Sequence, residues 1–317
     1  MKFAKRMEHL GTETAFEVLG RAKALEAQGR KIIHLEIGEP DFDTPLFIRE
    51  AASQALKNGR THYTPAAGIP ELRQAICEEV TRRRGVAVRP ENVVVTPGAK
   101  PIIYFPITAL IEEGDEVIYP NPGFPIYESV IEFVGGKAVP LHLKEEKAFR
   151  VDLAELESLI TPRTRMLIIN SPQNPTGGIL TREDVKAIAE IVRSRKIIVL
   201  SDEVYKNIIY ENENASILSE PGMLDLTIML DGFSKTYAMT GWRLGFGVMP
   251  APLAQKVEKL MINSNSCTAT FVQDAGVAAL RGPHDEVEAF VREFKKRRDL
   301  MAEGLNQIKG VRCLKPG

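Results

Sequence analysis

Residues 164–205 read TRMLIINSPQNPTGGILTREDVKAIAEIVRSRKIIVLSDEVY. The stretch opens on an apolar run, MLII, and passes through a turn rich in Ser, Pro, Asn and Gly. It then takes up helical spacing over Arg182–Ser194 and returns to a second apolar run, IIVL. Short apolar runs without polar alternation are strands buried on both faces, and a helix between two of them is the connection that makes them parallel. Working outward, ENVVVTPGAK (91–100) is a strand that ends in a glycine turn, followed by helical IIYFPITALIEEG (102–114). DEVIYPNPG (115–123), GKAVPLHL (136–143) and LTIMLDGFSK (226–235) each hold a further strand core. The expected fold is α/β, a mostly parallel sheet flanked by helices.

Towards the ends of the chain the pattern is helical. Thr14–Gln28 has helical apolar spacing with Gly29 placed as its C-cap, and KIIHLEIGEPDFDTP (31–45) is a short extended segment. Ile48–Asn58 and Pro70–Arg84 read as helices closed by glycine, and Leu253–Leu280 and Asp285–Gln307 as long helices. No repeat, low-complexity tract or flexible linker interrupts the chain.

Composition narrows the function classes. The 317 residues are 44% apolar and 26% charged, enough for one large domain or two. Forty-one Lys and Arg balance 42 Asp and Glu, for a net charge of −1, which argues against nucleic-acid and polybasic membrane binding. Cys77, Cys267 and Cys313 are far apart and form no CxxC pair, the pattern of free thiols in a reducing compartment. The N-terminus, MKFAKRMEHLGTE, has basic residues but no apolar run after them, and no stretch approaches ~18 uninterrupted apolar residues. A cytoplasmic protein without nucleic-acid or membrane partners is expected.

In an open parallel sheet, ligands bind at the carboxyl ends of the strands. Four strand ends carry unusual polar or glycine residues: Gly98-Ala99-Lys100, Asn174-Pro175-Thr176-Gly177, Asp202-Glu203-Val204-Tyr205 and Ser234-Lys235. Alone, Lys235 reads as a surface lysine after a strand. Burial there would lower its pKa and expose a neutral amine able to form a Schiff base with a carbonyl. Arg243, eight residues on and flanked by Gly241 and Gly245, suits bidentate phosphate binding. Gly98-Ala99-Lys100, between a strand and a helix, offers backbone N–H groups to the same anion. Asp202 could bind metal, act as a base, pair with a cationic ring nitrogen or simply cap a helix. With Glu203 on the opposite strand face, a metal site is disfavoured.

NSPQNPTGG (170–178), SDEVY (201–205) and GFSKTYAMTGWRLG (232–245), in this order and spacing, resemble the pyridoxal-phosphate-dependent class I/II aminotransferases of fold type I, the aspartate aminotransferase superfamily. LEIGEPDFDTP (35–45), HYTPAAGIPELR (62–73) and VTPGAK (95–100) resemble earlier motifs of the same family. The resemblance implies roles position by position. Lys235 forms the Schiff base with pyridoxal 5′-phosphate and later moves a proton between substrate Cα and cofactor C4′. Asp202 pairs with the pyridinium nitrogen, while Tyr205 and Asn174 bind the phenolic oxygen. Arg243, Ser234 and the Gly98-Ala99-Lys100 backbone bind the phosphate. Phe124 stacks on the ring, and Gly38 and Asn174 lie near the substrate carboxylate. Tyr63 reaches the phosphate of a neighbouring subunit, which makes the expected assembly a homodimer with shared sites. Lys100 could also reach a substrate's distal carboxylate, so an aspartate-like donor is the default, with aromatic or alanine-type donors close behind.

The resemblance further implies a large cofactor domain over residues 46–289 and a smaller α+β domain made of 1–45 and 290–317. In that family a C-terminal segment completes the small domain and supplies the arginine that clamps the α-carboxylate. The chain ends at VRCLKPG (311–317), where that segment would begin, so an incomplete small domain without the clamp is expected. The expected reaction is transamination between an amino acid and a 2-oxo acid by a ping-pong cycle. A carbon–sulfur β-lyase of the same fold and a weakly active cofactor-binding protein are the alternatives.

Overall fold

Strand formation follows the apolar runs. In a computed structural model that describes residues 1–11, 13–211 and 215–317, seven strands form one sheet. They are β1 (Val93–Thr96), β2 (Glu116–Asn121), β3 (Lys137–His142), β4 (Thr164–Asn170), β5 (Ile198–Asp202), β6 (Thr227–Gly232) and β7 (Gly245–Val248). Their order is β1-β7-β6-β5-β4-β2-β3, with β7 antiparallel to both neighbours and the remaining pairs parallel.

The period of two along each strand sorts side chains between the two faces. On β4, Met166 and Ile168 enter one core while Leu167 and Ile169 enter another; on β5, Leu200 and Val199 divide the same way. The first of these cores is covered by the helices Pro101–Leu110, Ile126–Phe133 and Ala251–Asn265, the second by Leu153–Leu159 and Arg182–Arg195. A third core joins β1 and β7 to the helices Leu46–Lys57, Pro70–Arg84 and Thr270–Arg281. Each fully buried Leu or Ile contributes roughly 1.5–3 kcal/mol, so both faces of the central strands anchor the sheet.

One expectation is overturned, and one strand carries no mark in the sequence. Leu253–Leu280 is not one helix but two, Ala251–Asn265 and Thr270–Arg281, separated by Ser266 at φ 64°. Near the break, Asn263 Nδ2 and Ser264 Oγ donate to the carbonyls of Lys259 and Leu260, the competition with helical backbone bonding that short polar side chains bring. Segment 31–45, expected only as a short extended stretch, forms neither helix nor strand. β7 went unrecognised because its two glycines hide the apolar alternation. A Cβ on Gly245 would lie 2.6 Å from Ala99 N, so the strand carries glycine where the β1 loop lies against it.

Between residues far apart along the chain, Phe42 stacks on Phe290 with ring centroids 4.3 Å apart, and Asp41 pairs with Arg297 at 2.7 Å. Residues 41 and 42 thus lie against the helix Asp285–Asn306.

Candidate active site

β4, β5 and β6 are parallel, in a register that sets Asn170 beside Asp202 and Asp202 beside Leu230. β1 is antiparallel to β7, itself antiparallel to β6, so β1 runs with the parallel group and ends on the same edge. The four strand ends singled out in the sequence therefore share one rim of the sheet.

Asp202 closes β5 and is 5% exposed. Its Oδ2 accepts a 2.7 Å hydrogen bond from the Tyr127 hydroxyl, and its Oδ1 accepts from Val204 N–H at 3.2 Å. Burial pushes its pKa up to about 6; those two hydrogen bonds oppose the rise, and the nearby acids Asp231 and Glu203 add to it. Among the described residues no cation pairs with it. Glu203 faces away, accepting from Ser201 Oγ and Ser216 Oγ and pairing with Arg84. Asp231 pairs with buried Lys206, so the neighbouring acids have protein counter-ions and Asp202 does not.

Lys235 lies on the short helix Phe233–Thr236 after β6. Burial depresses its pKa; Glu39 and Glu13 push it back up, and Arg243 presses it further down. Its Nζ donates to the Gly38 carbonyl at 2.5 Å and lies 5.8 Å from the Tyr205 ring centroid. The 38–44 strap is held against the lysine loop by further contacts. Thr240 Oγ1 bonds Glu39, Thr44 Oγ1 donates to the Ala238 carbonyl, and Trp242 Nε1 donates to Thr44 Oγ1. Tyr205 is buried enough for its pKa to be pushed up to about 12, with Asp202 adding to the rise.

The anion cradle is built from β1 and the loop before β7. Gly98 adopts φ 84°, and a Cβ there would sit 2.2 Å from Arg243 Nη2. Only glycine allows both the left-handed backbone and that approach of the guanidinium. Arg243 Nη1 is itself steadied by the Thr240 carbonyl at 2.7 Å. Ser234 lies one residue before the lysine, and no partner holds its hydroxyl among the described residues.

Asn174 sits in a loop organised by residues the sequence did not single out. Asn170 Oδ1 accepts from Asn174 N–H, and its Nδ2 donates to the carbonyls of Pro172 and Asp202. Gln173 Nε2 donates to the Pro122 carbonyl, tying this loop to the one that carries Phe124. Phe124 meets Tyr127 edge-on at 5.9 Å. Tyr127 was also overlooked, since one tyrosine in a helical segment, PIYESV, has no signature; only the fold brings it to Asp202. Tyr63 does not join the others within this chain. It is 88% exposed, on a loop whose backbone is pinned by Thr270 Oγ1 to the His62 carbonyl.

A guanidinium cradle, a desolvated amine and a buried carboxylate without a counter-ion fit the parts of pyridoxal phosphate: its phosphate, its aldehyde and its basic ring nitrogen.

A family model described as "Aminotransferase class I and II" matches residues 30–317. An aspartate aminotransferase of Musicola paradisiaca is 38% identical over 99% of this chain and 79% of its own length. Aromatic-amino-acid aminotransferase 2 of Thermococcus litoralis is 39% identical over 100% and 81%. Among solved structures, the aspartate aminotransferase of Rhizobium meliloti superposes with a TM-score of 0.95 at 36% identity, covering 100% of this chain and 80% of that one.

Proposed function

The chain belongs to the class I and II aminotransferases, and on that premise we propose how its residues divide the work of the reaction. It is a pyridoxal-phosphate-dependent enzyme that transfers an amino group between an amino acid and a 2-oxo acid. When bound, the cofactor supplies an aldehyde to carry the amino group and a ring to spread the electron pair left at Cα. The chain's own residues bind, orient and move protons. Arg243, Ser234 and the Gly98-Ala99-Lys100 backbone would hold the phosphate. Asp202 would keep a proton on the ring nitrogen, while Tyr205 and Asn174 would bind the phenolic oxygen. Phe124 would cover the ring, and Gly38 and Asn174 would border the substrate carboxylate. Lys235, with its basicity lowered by burial, would move the proton between substrate Cα and cofactor C4′, as general base and then acid. The observation that carries these assignments is the Asp202 carboxylate, buried with two other acids near it and with no cation paired to it among the described residues.

The donor is an aspartate-like amino acid read by Lys100, with aromatic or alanine-type donors second. The names of relatives support aspartate-like and aromatic donors. Residues 46–289 form the cofactor domain and 1–45 with 290–317 the small domain, a division supported by the contacts of Phe42 and Asp41 with the Asp285–Asn306 helix. The exposure of Tyr63 on a pinned loop supports a homodimer in which it reaches the partner's phosphate. Balanced charge and unpaired cysteines support a cytoplasmic setting, and among the described residues no helix is long and apolar enough to cross a membrane.

A donor panel tests the reading. With bound cofactor, aspartate or an aromatic amino acid should convert its absorbance to that of the amine form, and 2-oxoglutarate should restore it. Pyruvate and ammonia released from cysteine-type substrates without that conversion would favour the lyase instead.

A further inference from the structure

Glu13 immediately precedes the helix Thr14–Glu26, yet its side chain does not cap that helix. It reaches instead to Lys100, where Oε1 lies 2.5 Å from Nζ. Lys100 in turn lies near two aromatic rings, 5.6 Å from the Phe16 centroid and 5.5 Å from that of Phe124. The Glu13 side chain is 17% exposed and that of Lys100 43%, so this is a half-buried pair rather than a surface one. Glu13 lies close enough to the reacting lysine to bear on its charge.

The position matters because Lys100 sets a cation 5.5 Å from the centroid of the proposed ring cover, Phe124. A cation there attracts a second carboxylate on the substrate. A carboxylate from the protein, already on that cation, competes with it. With the pair closed, the wall presents two aromatic rings and a neutralised ammonium, a surface suited to an uncharged, flat side chain. With the pair open, the same wall presents a positive charge.

We propose that Glu13 is a specificity-determining residue, an internal counter-ion that occupies Lys100 and so lets one site accept aromatic donors while making dicarboxylic donors displace it. The proposal rests on the aminotransferase reading and on Lys100 facing the substrate side chain, and it adds a role for Glu13. Glutamine at position 13 keeps the size and removes the charge, so Lys100 becomes free for a distal carboxylate. A charge-assisted hydrogen bond gained without a competitor favours the dicarboxylic donor by roughly 10-fold.

The test uses donor half-reactions of the cofactor-loaded enzyme without acceptor, read by cofactor absorbance, with aspartate and phenylalanine as probes. In Glu13→Gln the ratio of kcat/KM for aspartate over phenylalanine should rise about 10-fold. Adding Lys100→Gln should remove that rise, because the freed cation is gone. An equal change for both donors in Glu13→Gln, or a rise that survives Lys100→Gln, overturns the proposal. A wild-type enzyme converted by neither donor overturns the underlying reading of the site instead, and the two failures are told apart by the wild-type reaction alone.

Discussion

The Tyr127 hydroxyl donates to Asp202 Oδ2 across 2.7 Å, with both side chains buried. It bonds the charged form of the carboxylate and so offsets part of what burial costs. Tyr127→Phe keeps the ring and removes the donor. Hydrogen bonds to charged groups contribute about 1.5–3 kcal/mol, so cofactor affinity near pH 7 should fall roughly 10-fold or more. Since the bond lowers the Asp202 pKa, its loss should also move the acid limb of cofactor binding to higher pH. Titrating affinity against pH in both proteins checks this; a uniform loss with no change in midpoint would point to a purely structural role.

Asp202→Asn should separate stability from function. The folded-state pKa, about 6, lies above the ordinary 3.8, so this group favours the fold below pH 3.8 and costs stability as pH rises through 6. Cofactor-free Asp202→Asn should therefore be more stable than wild type at pH 8, by up to about 3 kcal/mol, with the difference fading towards pH 4. Its transamination rate should nevertheless drop, on the order of 10²–10³-fold, because the ring proton loses its counter-ion. Denaturant melts of the cofactor-free proteins and half-reaction rates report the two effects separately.

Gly98→Ala should act on the cofactor more than on the fold. The added methyl meets Arg243 Nη2 at 2.2 Å, and the guanidinium has room to swing away, while the positive φ costs about 1 kcal/mol. The swing breaks the cradle. Pyridoxal phosphate affinity should fall roughly 10- to 100-fold, with pyridoxal, which lacks the phosphate, much less affected. Equal losses for both ligands would remove Arg243 from the phosphate site.

Far from the site, Glu116 on β2 accepts from Thr161 Oγ1 at 2.6 Å, Arg163 Nη2 at 2.9 Å and Lys137 Nζ at 3.1 Å. The Thr161 hydrogen bond above all, with those from Arg163 and Lys137, holds its pKa down at about 2, below the ordinary 4.5. A depressed carboxylate stabilises the fold above pH 4.5 and loses that contribution as pH falls towards 2. Glu116→Gln should cost roughly 1–3 kcal/mol at pH 7, and the gap to wild type should narrow over that window. Urea unfolding at several pH values measures it.

Much of this was legible in the sequence. The runs MLII and IIVL, with the helical stretch between them, announced β4 and β5, and the polar residues after each strand marked the rim where Asp202, Asn174 and Lys235 gather. What stayed hidden depended on contacts distant along the chain. β7 lost its pattern to Gly245 and Gly247, which carry no side chain because Ala99 and Ile102 lie against them. Tyr127, 75 residues from Asp202, has no local mark of its role. Glu13 reads as an ordinary acid before a helix until the fold sets it on Lys100. Periodicity reports which face a residue occupies; it does not report what stands opposite.

On the proposed reading, Lys235 carries the cofactor. Mixing the protein with pyridoxal phosphate, reducing with borohydride and mapping the peptides by mass spectrometry tests it directly. One reduced pyridoxyl group is expected, on the peptide containing Lys235, and none on the Lys235→Ala protein. Stoichiometric labelling of another lysine in the wild type, or labelling that persists in Lys235→Ala, would contradict it.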